Sequence, residues 1–173
     1  CHAGSVHLFV ILDAVSEEDM DRQTESVAGV ALERGALDVF VADTAAKQDN
    51  VLEIRSKIYE ALKAHTVEIM DVSVPRGEIA AHVEKVEEIG AKFGVWLPTF
   101  GHAGDGNVHT HLMKARCEGG RIVPLAEEEW RASLEAVRTE IYADGLARGG
   151  VVSGEHGIGL VKKKYLAESL PPA

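Results

Sequence analysis

The chain holds only two cysteines in 173 residues, Cys1 and Cys117. Two thiols are too few for the disulfide framework of a small secreted domain and too few for a Cys-rich zinc module, and they fit a reducing, cytoplasmic compartment. Basic residues are also scarce: 18 Lys and Arg stand against 28 Asp and Glu, a formal net charge of -10. A surface of that sign repels a phosphate backbone, so no nucleic acid is expected as a partner. No apolar run approaches the roughly 20 residues of a membrane span, and the chain is expected not to be integral to a membrane, although a peripheral position at the inner face of one is compatible. The start, CHAGSVHLFVILD, has no basic stretch before its apolar segment and no initiator Met. It reads as the edge of an excised fragment or processed chain rather than as a leader. Internal repeats, low-complexity tracts and a Gly-rich dinucleotide fingerprint are missing too. What remains, at 46% hydrophobic, suits one ordinary globular domain.

Strand and helix patterns alternate along it. Val6 to Leu12 is β-branched and aromatic and predicts a strand. Ser16 followed by Glu17, Glu18 and Asp19 predicts an N-cap with acids in the first turn, opening a helix that runs to about Arg34 and stops at Gly35. A second strand is expected at Asp38 to Ala42. From Thr44 onward Val51, Ile58 and Leu62 share a helix face. Arg55 falls on that stripe with Tyr59 one turn later, and its guanidinium must either meet an anion or snorkel out to water. Ile69 to Val74 alternates as a third strand, and Pro75 precedes a helix with Ile79, Val83, Val86 and Phe93 facing inward and Gly94 at its end. Val95 to Phe100 and Asn107 to Met113 read as strands, and the longest helix is expected over Ala126 to Ala147 with Trp130, Leu134, Val137 and Ile141 buried. The close pair of strands around Gly101 to Gly106 points to an antiparallel hairpin. The predicted fold class is α+β, a ferredoxin-like antiparallel sheet with helices packed on one face.

Two stretches concentrate chemistry. GHAGDGNVHTHLM, Gly101 to Met113, holds three histidines; a strand presents His109 and His111 on one face, and the Gly104-Asp105-Gly106 turn can return His102 to them. Imidazole suits zinc, iron, nickel or copper, and two His ligands are part of a first shell. Asp105 and Asn107 fit the shaping of the turn. SGEHGIG, Ser153 to Gly159, sets Glu155 beside His156 between glycines, an anionic ligand next to a proton acceptor. Taken singly, neither is specific: scattered histidines and a Glu-His dipeptide are most often without function. His2, His7, His65 and His82 read as structural or exposed, Cys117 as a loop or core thiol, and Lys162 to Lys164 as a solvated basic helix end.

Taken together, GHAGDGNVH and SGEHGIG, in that order with a helix between them, resemble the C-terminal region of the FAD-linked oxidases of the vanillyl-alcohol oxidase type. That group contains the D-lactate dehydrogenases, the glycolate oxidase flavin subunit and D-2-hydroxyglutarate dehydrogenase. The Arg55 helix, MDVSVPR at Met70 to Arg76, and Lys162 extend the likeness over most of the chain; it is weakest before about Asp38. The resemblance implies that residues 1–173 form a ferredoxin-like cap domain over the flavin ring. The FAD-binding domain, which holds most of the FAD, and the family's C-terminal tail would lie outside this chain. It implies a divalent metal, zinc, manganese or iron, on His102, His109 and Glu155, with His156 as the active-site base. Arg55 would bind a substrate carboxylate, with Tyr59 and His111 beside the substrate. His111 stands where relatives carry Asn, Pro or another residue, and the lysine some relatives place just before the Met70-Asp71 strand is missing.

The implied reaction oxidises a D-2-hydroxy acid of the glycolate or D-lactate type to the 2-oxo acid, with hydride transfer to FAD. The implied partners are that small hydroxy acid, the FAD-binding domain of the same full-length chain, and an iron–sulfur or other electron-acceptor subunit; the fragment alone is expected to be inactive. Two rivals use the same donors: a stand-alone metal-binding or interaction module without redox activity, and a metal-dependent hydrolase with an open water position.

Overall fold

In the computed structural model, which describes residues 6–169, Ser16 opens the first helix as predicted. Its extended backbone (φ -156°) lets Oγ accept the Asp19 N–H, and Glu17, Glu18 and Asp19 occupy the first turn of α1, Glu17–Glu33. The helix ends where Gly35 takes a φ of 91°. Helix α2, Ala45–Lys63, begins after Thr44, whose Oγ1 accepts the Lys47 N–H. Along its stripe Val51 and Ile58 are half-buried and Leu62 buried, while Arg55 and Tyr59 are exposed. The strands expected at Val6 to Leu12 and Asp38 to Ala42 are not formed: both segments are irregular and mostly exposed, with Phe40 89% accessible. β-Branched and aromatic residues favour a strand only when a neighbour pairs with the backbone, and among the described residues neither segment has a ladder partner.

The chain divides into two compact units, one reaching to Ala61 and the other starting at Leu62. The second is built on strands β1 (Thr66–Ser73), β2 (Thr99–His102) and β3 (Asn107–Met113), which pair antiparallel in the order β1-β3-β2. On the free edge of β1, Ser73 exchanges two backbone hydrogen bonds with Val151 (3.1 and 2.7 Å). That bridge stands where the fourth strand of a ferredoxin-like βαββαβ sheet belongs, next to the first strand. The two crossovers are α3, Ile79–Phe93, which a 3-10 turn at Arg76–Glu78 introduces and Gly94 (φ 66°) ends, and α4, Glu127–Ala147. The fold is α+β, as the sequence predicts. Strand β2 starts later than expected, because the chain from Val95 to Pro98 is irregular although Val95 and Leu97 are buried.

Period-2 alternation sorts the sheet. Met70 and Val72 of β1, opposite Thr110 and Val108 of β3, join Val86, Ile89, Trp130, Val137 and Ile141 in the core under α3 and α4. Gly145 lets α4 close on this face, since a Cβ there would stand 2.6 Å from Val72 Cγ1. A buried His82 ties the two helices together: Nδ1 lies 2.7 Å from Asp144 Oδ2, which also accepts Arg148 Nε at 2.8 Å. The opposite face carries Asp71, Ser73, Asn107, His109 and His111.

Residues 115–124, for which no element is predicted, form a hairpin of β4 (Ala115–Glu118) and β5 (Arg121–Pro124). Gly119 and Gly120, at φ 54° and 81°, supply the two left-handed positions of its turn, and Cys117 lies half-buried within it. The last element among the described residues is α5, Lys163–Ser169. Among the described residues no helix is long and apolar enough to cross a membrane.

Candidate functional site

The first motif brings its histidines together through backbone that only glycine allows. Gly101 pairs with Val108 and His102 with Asn107 across the β2–β3 hairpin. A Cβ on Gly101 would lie 2.1 Å from Asn107 O, and one on Gly106 (φ 84°) equally close to Val74 O. Asp105 Oδ1 accepts the Asn107 N–H at 3.1 Å and fixes the turn, the role its sequence position suggests. As a result the rings of His102 and His109 meet edge to face, 5.5 Å between centroids.

The second motif folds over the same sheet face. The ring of His156 stacks on His109 at 4.9 Å with only 16° between planes, and Glu155 Oε1 lies 3.2 Å from His109 Nε2. His109 is buried, whereas His102, Glu155 and His156 are exposed, so the cluster has a closed floor and an open mouth. An open hollow of about 370 Å³ beside His156 is lined by Ile69, Arg138, Ile158, Leu160 and Lys162 among others.

The feature that the sequence did not advertise is Asp71. It sits on β1 directly opposite His109 with no exposed surface. Its Oδ2 accepts hydrogen bonds from Ser153 Oγ (2.9 Å) and from the consecutive N–H groups of Glu155 (2.9 Å) and His156 (2.8 Å). Burial opposes its charge, but these donors and the Lys162 ammonium outweigh burial and hold the carboxyl at about 2. Lys162 corrects an expectation: read as part of a solvated helix end, it is instead buried, with Nζ 3.3 Å from Ser153 Oγ and 3.7 Å from Asp71 Oδ2. Burial lowers its pKa against the pull of Asp71. Burial also lowers the pKa of His109, reinforced by His156, and brings that of His111 to about 4, with smaller contributions from His109 and His156. Both imidazoles are thereby favoured in the neutral form that can coordinate a metal.

The residues present fit a divalent cation. One donor atom from each of His102, His109 and Glu155 lies within 4.8 Å of the other two, and donors about 2.1 Å from a tetrahedral ion stand roughly 3.4 Å apart. Two nitrogens and a carboxylate oxygen suit zinc, manganese or iron and leave coordination positions for a substrate. Behind them, Asp71 Oδ1 and His109 Nδ1 are buried without a hydrogen-bond partner among the described residues. They face each other at 3.7 Å, the arrangement by which a carboxylate orients a metal-binding imidazole. Asp71, His109 and His156 form a second possible trio, in which Asp71 would offer Oδ1 because Oδ2 already accepts three hydrogen bonds.

Of the other candidates, His111 has no exposed surface: its ring lies 4.5 Å from that of Phe100 and its Nδ1 is 3.1 Å from Thr66 Oγ1. Arg55 and Tyr59 lie on α2, in the N-terminal unit. His7 is exposed, His65 half-buried and His82 structural, while His2 falls outside the described residues.

The family model for the C-terminal domain of FAD linked oxidases matches residues 2–173. A D-lactate dehydrogenase of Archaeoglobus fulgidus is 37% identical over 168 residues, 97% of this chain and 34% of the relative. The glycolate oxidase subunit GlcD of Bacillus subtilis is 31% identical over 88% of this chain and 31% of its own length. A D-2-hydroxyglutarate dehydrogenase of Stutzerimonas stutzeri is 25% identical over 93% of this chain and 34% of its own length. The chain thus spans about a third of the length of these relatives. From residue 2 to its end, it belongs to the C-terminal domain family of the FAD-linked oxidases.

Proposed function

We propose that this chain is the substrate- and metal-binding part of a flavin-linked oxidoreductase that converts a D-2-hydroxy acid of the glycolate or D-lactate type into the 2-oxo acid. The observation that carries the reading is the convergence of His102, His109, Glu155 and His156 from two distant motifs onto one sheet face. Family membership favours it over a metal-dependent hydrolase or a stand-alone metal module, which would use the same donors. A divalent ion held by His102, His109 and Glu155 supplies, when bound, a Lewis acid that favours loss of a hydroxyl proton. FAD, the hydride acceptor of such a reaction, is assigned to a part of the full-length protein outside this chain.

The remaining work belongs to side chains of this chain. His156, exposed at the mouth and stacked on His109, takes the substrate hydroxyl proton at an imidazole nitrogen. The hollow beside it receives the carbon chain of the acid. Arg55 holds the substrate carboxylate through a two-pronged guanidinium contact, with Tyr59 one turn along α2 assisting. His111, the third candidate for the substrate side, is buried with its ring 4.5 Å from that of Phe100. The net change removes the hydroxyl proton and the hydrogen on Cα with its electron pair.

The test uses the full-length protein. His102→Ala, His109→Ala and Glu155→Ala should each weaken zinc or manganese at least about tenfold in competition with a chromogenic chelator. His156→Ala should bind metal normally and lose about 10²- to 10⁴-fold in kcat for D-lactate or glycolate. Unchanged metal affinity in all three ligand variants would reject the metal assignment; unchanged turnover in His156→Ala would reject the base.

A further inference from the structure

We propose that Asp71 is the positioning residue that joins the two motifs into one site: one carboxylate oxygen holds the backbone that presents Glu155 and His156, and the other orients His109. This deepens the metal reading above and rests on it.

A carboxylate with no exposed surface is costly unless its lone pairs are used, so its partners reveal its role. Alternation along β1 sends Met70 and Val72 into the core and Asp71 to the site face, opposite His109. Oδ2 gathers the Ser153 hydroxyl and two successive backbone N–H groups, a concave nest of donors that fits an anion. The Gly154 N–H also reaches the Asp71 backbone carbonyl at 3.3 Å. Four contacts from one strand residue therefore fix Ser153 to His156, the segment that carries the ligand and the base.

Oδ1 takes no part in this. Its polar neighbour across the sheet is His109 Nδ1 at 3.7 Å, and both atoms are buried without a hydrogen-bond partner among the described residues. The other ring nitrogen, Nε2, points toward Glu155. A neutral imidazole carries one proton, and a carboxylate oxygen facing Nδ1 favours that proton there, which leaves the Nε2 lone pair for the cation. At 3.7 Å the two atoms stand just beyond hydrogen-bond distance, and the proposed role requires them to close that gap when the cation binds. Lys162, buried and reaching Ser153 and Asp71, supplies the countercharge that keeps the arrangement tolerable.

The experiment compares the full chain with its Asp71→Asn variant, which keeps the shape and removes the charge. Without metal, amide exchange at Glu155 and His156 should be slow in the parent and at least tenfold faster in Asp71→Asn. Zinc affinity by chelator competition should fall about 10- to 100-fold, while a cooperative melt shows that the variant is folded. A folded Asp71→Asn with parental amide protection and parental zinc affinity overturns the proposal. If the variant does not fold, nitrogen NMR of the zinc-loaded parent decides: a proton on His109 Nδ1 supports the role of Oδ1, and a proton on Nε2 overturns it. Failure of the parent to bind zinc, with Glu155 and His156 amides protected in the parent and freed in Asp71→Asn, sinks the metal reading and leaves Asp71 as the anchor of the loop.

Discussion

Gly154 has no room for a side chain: a Cβ there would stand 2.5 Å from Ser73 Oγ and 2.7 Å from Asn107 Nδ2. Asn107 is buried at the start of β3 and cannot retreat cheaply. Gly154→Ala should therefore lift the second motif from the sheet, costing about 1–3 kcal/mol in chemical denaturation and weakening metal binding in parallel. A variant as stable as the parent would show that the loop tolerates the displacement. The residues proposed as ligands stood out in the sequence because two motifs with the family's pattern pack several donors into a few positions, with glycines that mark close backbone approach. Asp71 did not. A carboxylate within an alternating strand gives no sign of which face is buried, and only the register with His109 reveals its partners. Lys162 was misread for a related reason: three successive lysines suggest solvent, whereas the chain turns just before α5 and drives the first of them under the site.

The elements that local chemistry specifies came out as read. Ser16 caps α1, Gly94 ends α3, and α4 and β3 follow their predicted spans closely. The failures were elements whose existence depends on a distant partner, such as the strands expected at residues 6–12 and 38–42, or on an unrecognised Gly-Gly turn, as in the β4–β5 hairpin. Packing of α3 on α4 offers a test at this scale. Burial would raise the pKa of Asp144, but hydrogen bonds from Arg148 and His82 outweigh burial and lower it. A depressed carboxyl stabilises the fold fully above its unfolded value, near 3.9, and the gain disappears as pH falls through the lower folded value. Asp144→Asn should thus destabilise by about 1–2 kcal/mol at pH 7, and the gap to the parent should close as pH falls below the ordinary carboxylate range in denaturant titrations. A gap that stays constant through that fall would mean that Asp144 acts through shape and not through charge.

Over the whole molecule, the proposed work divides between the two units. Asp71, His102, His109, Glu155 and His156 all belong to the unit that begins at Leu62, whereas Arg55 and Tyr59 belong to the one before it. A chain of net charge -10 repels an anionic hydroxy acid at long range. Local cations must then capture the carboxylate, and the proposed ones are the metal and Arg55. Their losses should separate. In the full-length protein Arg55→Ala should raise KM for the hydroxy acid roughly 10- to 100-fold, the equivalent of about 1.5–3 kcal/mol for a charged hydrogen-bonded contact, with metal affinity unchanged. Glu155→Ala should weaken metal binding first, and excess metal should restore part of its turnover. If Arg55→Ala leaves KM where it was, Arg55 does not hold the carboxylate, and the stripe that places it beside Val51 and Ile58 serves the helix and not the substrate.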